Sequence, residues 1–146
     1  MKHILMTASA LVFLVTANVA PASAGNRAVV DQGGYCNGAV ADQHGKRNKS
    51  FTYQRGRCNM AKTFQYGRGN RAVTGQKGYR NNSEIYQQGK RNVAGHAQFG
   101  SRNSAYTEQY GTGNAAATIQ AGRGNQADTY QSGKGNMSII IQGGYN

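Results

Sequence analysis

Eleven glutamines stand eleven residues apart without an insertion or deletion: Gln32, Gln43, Gln54, Gln65, Gln76, Gln87, Gln98, Gln109, Gln120, Gln131 and Gln142. Asparagines keep the same period five places later, at Asn37, Asn48, Asn59, Asn70, Asn81, Asn92, Asn103, Asn114, Asn125 and Asn136, and Asn26 supplies the position for a half-unit at the start. A primary amide carries donors and an acceptor on one group. Stacked in register, each amide can donate to the carbonyl of its neighbour, and the column becomes a hydrogen-bonded ladder. The chemistry these residues offer is therefore self-recognition.

Other reactive side chains are sparse. Cys36 and Cys58 share one position of the repeat, two units apart. His44 and His96 occupy different columns, and Asp31, Asp42, Glu84, Glu108 and Asp128 form no recurring pair. Such scattered groups do not assemble a metal site or a nucleophile–base arrangement. The chain reads as a non-enzyme without a cofactor, and His96 as a substitute for threonine in its column.

Two more columns complete the unit Gln-x-Gly-x-x-Asn-x-(Ala/Ser)-x-x-x: a glycine at position 3, from Gly34 to Gly144, and Ala or Ser at position 8, from Ala28 to Ser138. Four fixed columns in one strict period specify stacked supersecondary units that find their core on their neighbours. Positions 2 to 6 read as turn, with Gly at 3, frequent Gly at 5 and Asn at 6 allowing positive φ. Positions 7 to 11, running into the next glutamine, read as a strand. Alternation along a strand puts position 8, the mostly β-branched position 10 and the glutamine on one face. That face, uniform between units, is predicted to be inside, and the heterogeneous positions 7, 9 and 11 outside. One strand and one turn make half a coil. The predicted fold is all-β, an amyloid-like β-solenoid of strand-turn-strand rungs, with 11-residue half-rungs and 22 residues per rung. Such a rung sets Cys36 and Cys58 one strand spacing apart, within disulfide reach. Two free thiols remain the alternative.

The first residues read as a secretory signal. Lys2 precedes the mostly apolar stretch from Ile4 to Val15, and Ala22-Ser23-Ala24 is a small-residue cleavage site. The expected organisation is a signal peptide at 1–24 and a repeat domain at 25–146, with no transmembrane segment after cleavage. Seventeen Lys and Arg stand against five Asp and Glu, a formal charge of +12. Many of these cations follow the column glycines. They predict a solubilising rim and a general attraction to acidic polysaccharide or extracellular DNA.

The columns closely resemble the curlin repeat of bacterial curli subunits, over about Asn26 to Gln142. The resemblance implies a structural subunit of an extracellular amyloid fibre at the bacterial surface, serving cell adhesion and biofilm matrix. It implies as partners the chain itself, other curlin-type subunits, and an outer-membrane secretion pore with accessory factors. It also assigns the Gln and Asn columns to self-assembly. Strong basicity is similar to the minor, nucleating subunits. The alternative is a monomeric secreted solenoid that binds acidic polysaccharide or extracellular DNA. An ice-binding array is disfavoured because the threonine column shares the inward parity.

Overall fold

The computed structural model describes residues 25–144, so the signal-peptide reading of 1–24 and the last two residues of the repeat domain lie outside the described residues. Eleven strands follow one another: β1 (Arg27–Tyr35), β2 (Gly38–Lys46), β3 (Lys49–Arg57), β4 (Met60–Arg68), β5 (Arg71–Tyr79), β6 (Asn82–Lys90), β7 (Val93–Ser101), β8 (Ser104–Thr112), β9 (Ala115–Arg123), β10 (Gln126–Lys134) and β11 (Met137–Gly144). Odd strands form one parallel sheet, in the order β1-β3-β5-β7-β9-β11, and even strands form a second, β10-β8-β6-β4-β2. Every pair is in register at an offset of 22, so Gln54 lies beside Gln76 and Gln65 beside Gln87. The chain is a β-solenoid of about five turns, one strand from each sheet per turn.

The strands are longer than the sequence pattern implies. They run from position 7 through the glutamine to position 4, usually nine residues, which leaves only positions 5 and 6 as turn. The position-3 glycines bend the backbone, with φ between 103° and 129°. Every rung bends at the same place, so parallel pairing continues across the bend and the strand curves instead of ending. Positive φ in the turn falls at position 5, on Cys36, Arg47, Cys58, Arg80, Arg91 and Arg102 or on glycine. No column asparagine adopts it among the described residues; the value of Asn at position 6 lies in its side chain.

The interior is thin. Ala61, Ala72, Ala94 and Ala105 are buried, as are Thr52, Thr63, Thr74 and Thr107, and Ile85 is the largest fully buried apolar side chain among the described residues. Small residues here let the two sheets approach until the glutamines fill the space between them. Val30 shares the inward parity yet is 39 % exposed, because β1 is a terminal strand with a neighbour on one side only.

Candidate functional site

Each glutamine meets the next of its sheet. Nε2 of Gln54 donates to Oε1 of Gln76 (2.8 Å), and that of Gln76 to Gln98 (2.8 Å). In the other sheet Gln65 donates to Gln87 (2.8 Å) and Gln87 to Gln109 (2.9 Å). The series is complete from Gln32→Gln54 and Gln43→Gln65 to Gln109→Gln131 and Gln120→Gln142, always in the same sense along the axis. The second Nε2 proton crosses the core to a main-chain carbonyl of the facing strand, as from Gln54 to Gly38 (2.9 Å) and from Gln98 to Asn82 (2.8 Å). Gln54, Gln65, Gln87, Gln98, Gln109 and Gln120 are wholly buried with donors and acceptor occupied. Burying an amide is tolerated only on those terms.

Asparagine does different work. Its Oδ1 accepts the main-chain N–H of the next asparagine, as from Asn70 to Asn48 (3.0 Å) and Asn92 to Asn70 (3.0 Å). Its Nδ2 donates to the carbonyl four residues back and to a column glycine of the adjoining rung, as from Asn48 to His44 (2.9 Å) and Gly67 (3.2 Å). Only a minority also bond amide to amide, among them Asn59 to Asn37 (3.1 Å) and Asn125 to Asn103 (3.1 Å). The asparagine column thus ties the turn of one rung to that of the next. Aspartate, having no donor, could not replace it.

The glycine column shows a constraint that turn chemistry alone did not reveal. A Cβ on Gly34, Gly56 or Gly89 would overlap the carbonyl oxygen of the glycine one rung on. Gly133 lacks that contact, having no glycine one rung on among the described residues. The outer face of the even sheet holds a second pattern that sequence reading missed: a file of His44, Tyr66, Tyr86, Tyr110 and Tyr130, with successive ring centroids 5.2 to 6.0 Å apart. Its members are divided between position 2 (His44, Tyr66, Tyr110) and position 11 (Tyr86, Tyr130), so no single column shows it. Testing diagonal neighbours one rung apart would have found it.

Several charged groups on the broad faces are paired locally. Arg55 grips Asp31 at 2.9 and 2.8 Å, and that hydrogen-bonded pairing lowers the aspartate's pKa. Glu108 accepts from Tyr106 (3.1 Å) and from Tyr110. Desolvation and then this bond push Tyr106 up to about 12; for Tyr110 the bond to Glu108 comes first and the result is also about 12. His96 replaces threonine inside the core, between Ser83 (2.8 Å) and Thr107 (2.8 Å), and burial lowers its pKa to about 4. His44 sits on the outer face beside Asp42 (2.9 Å), far from His96 along the stack. Cys36 and Cys58 are joined by a disulfide between stacked turns, with Cα atoms 4.4 Å apart.

At the two ends the columns stop without a partner among the described residues. Strands β1 and β2 each leave one edge unpaired, as do β10 and β11. Gln32 and Gln43 accept no ladder bond, and Gln131 and Gln142 donate only to main-chain carbonyls, Ala115 (3.0 Å) and Gln126 (2.8 Å). The solenoid therefore presents acceptors at one end and donors at the other.

Among protein families, the curlin associated repeat matches residues 78–111. The comparison with curated proteins gives no match. The matched segment covers about three units, and its columns and register continue unchanged through the strands on either side.

Proposed function

We propose, from a chain that carries a curlin associated repeat, that the protein is a structural subunit of an extracellular curli-type amyloid fibre, secreted to the bacterial surface for adhesion and biofilm matrix. The observation that carries this reading is the pair of open ends. Unpaired strand edges are templates for further pairing, and here the interior columns arrive at each end in the same order and spacing. A second copy added end to end would extend both sheets, both glutamine ladders and the glycine stack together. The ladder glutamines and asparagines are the residues assigned to this self-assembly, and the nearest partner is another copy of the chain. Export through an outer-membrane pore, and growth on or with other curlin-type subunits, follow from the same family resemblance.

The test is assembly of the purified chain 25–146. Thioflavin-T fluorescence should rise with a lag that seeds abolish, and fibre diffraction should show the ~4.8 Å strand spacing of stacked rungs along the fibre axis. A solution that stays monomeric at high concentration for days, without that reflection, overturns the fibre reading.

A further inference from the structure

The solenoid has two narrow edges, formed by its turns, and they differ. Lys46, Arg47, Arg68, Lys90, Arg91 and Lys134 all lie at the ends of even strands or in the turns that follow them. All six are on one edge and exposed; those from Lys46 to Arg91 fall in three successive turns of that edge, and Lys134 lies two rungs beyond Lys90. The span from Lys46 to Lys134 is four rungs, about 19 Å at the usual strand spacing. The five acidic residues lie on the broad faces, where Asp31 pairs with Arg55, Asp42 with His44, and Glu84 with Lys62. None of the six edge cations has an ion-pair partner among the described residues.

The edge also has shape. Gly69 stands between Arg47 and Arg91 in the position-5 column, and its missing side chain opens a notch of about 410 Å³ lined by Arg47, Arg68, Gly69, Lys90, Arg91 and Thr112. A second hollow of about 450 Å³ lies beside it and shares Arg47, Gly69 and Arg91. Holding like charges one rung apart is unfavourable, and a polymeric anion relieves it while releasing its own counterions. The opposite edge carries Arg57, Arg80, Arg102 and Arg123, one to a turn, whereas on this edge the turns after β2 and β6 each hold two adjacent cations.

We propose that this edge is a binding site for a linear acidic polysaccharide, lying along the solenoid axis with anionic groups in the notch over Gly69. The ridge is one turn wide and follows the axis, which suits an extended chain bearing one carboxylate or sulfate per sugar. Single-stranded nucleic acid gains its affinity from bases stacked on aromatic rings, and the aromatic file is on the broad face, not on this edge. The site is complete on one chain, so it does not depend on assembly.

The experiment measures binding of fluorescent polygalacturonate of uniform length to the folded chain, with neutral dextran as control and single-stranded and duplex DNA as rival ligands. Two variants remove equal charge: Arg47→Gln/Arg68→Gln/Lys90→Gln/Arg91→Gln on this edge, and Arg57→Gln/Arg80→Gln/Arg102→Gln/Arg123→Gln on the other. The first should weaken polygalacturonate binding at least about tenfold and flatten its salt dependence, and the second less than about threefold. Gly69→Asn fills the notch without changing charge, in a residue that tolerates positive φ, and should also weaken binding. Circular dichroism and thioflavin-T assembly of each variant register folding and fibre formation separately. Equal losses in both charge variants, or none in either, overturn the site. DNA binding more tightly than polygalacturonate through the same ridge overturns the choice of ligand.

Discussion

Gln87 is wholly buried, and its amide receives one bond from Gln65 and gives one to Gln109 and one to the carbonyl of Arg71. Truncating it to alanine leaves groups above and below without partners, at ~1–3 kcal/mol for each one stranded. Lys62 lies on the outer face and makes a single long ion pair, 3.7 Å to Glu84. Lys62→Ala should change stability by less than ~0.5 kcal/mol. Denaturant unfolding of the two variants checks this, and equal losses would refute the ladder's energetic role. His96 adds a pH dependence. Its pKa falls from 6.5 to about 4 on folding because burial disfavours the imidazolium. Stability is then fully present above pH 6.5, declines as pH falls towards 4, and levels off below, a loss of about 3 kcal/mol. His96→Thr restores the usual residue of the column and should remove that decline in a pH series of unfolding curves. Residue type was easy to read at these positions because the columns are fixed. The partners of each asparagine were not, since they are main-chain atoms that repeat in any sequence.

The strand is where sequence and structure part company. The period, the inward parity of Ala/Ser, Thr and Gln, and the 22-residue rung all follow from the columns. The extension of each strand to position 4 does not, because glycine at position 3 signals a break by its own propensity. What keeps β6 intact through Gly89 is that β4 and β8 bend at Gly67 and Gly111 in the same way. A glycine interrupts an isolated strand; a stack of glycines shapes a bent sheet. The two glycine positions should respond differently to substitution. Gly89→Ala meets both a φ of 125° and the backbone of Gly111, and should cost well over ~2 kcal/mol. Gly113→Ala has a φ of 70° but open space around it, and should cost only the ~1–2 kcal/mol of a left-handed residue. Calorimetry of the pair tests the ordering, and similar melting temperatures would show that the stacked carbonyl does not constrain position 3.

At the scale of the molecule, the architecture was legible because so little of it is unique to any rung. What distinguishes one surface from another is carried by the variable positions, and these hold no period of their own. The aromatic file on the even sheet, the ion pairs on the faces and the bare cationic edge emerge only when the chain is wound and residues 20, 22 or 24 apart become neighbours. Parity decides which face a side chain joins, but the winding decides which edge. In an unwound sequence Arg57 and Arg68, both at position 4, look equivalent, whereas the solenoid sends them to opposite sides.

The glutamine bonds all run one way, from lower-numbered rung to higher. The stack is therefore an arrow. Two copies meeting tail to tip match donor to acceptor, while two meeting tip to tip confront like with like. Assembly that prolongs the ladders must hand the same heading to each newcomer, and the opposite ends of a filament must be chemically distinct. Gln131→Ala removes a donor at that tip, together with the acceptor of the Gln109 amide, and leaves Gln32 and Gln43 at the acceptor end as they were. Seeds made of this variant, extended with dye-labelled wild-type chain and viewed singly, should lose growth at one end and keep it at the other. Equal slowing at both ends would mean that the heading is not set by the glutamines.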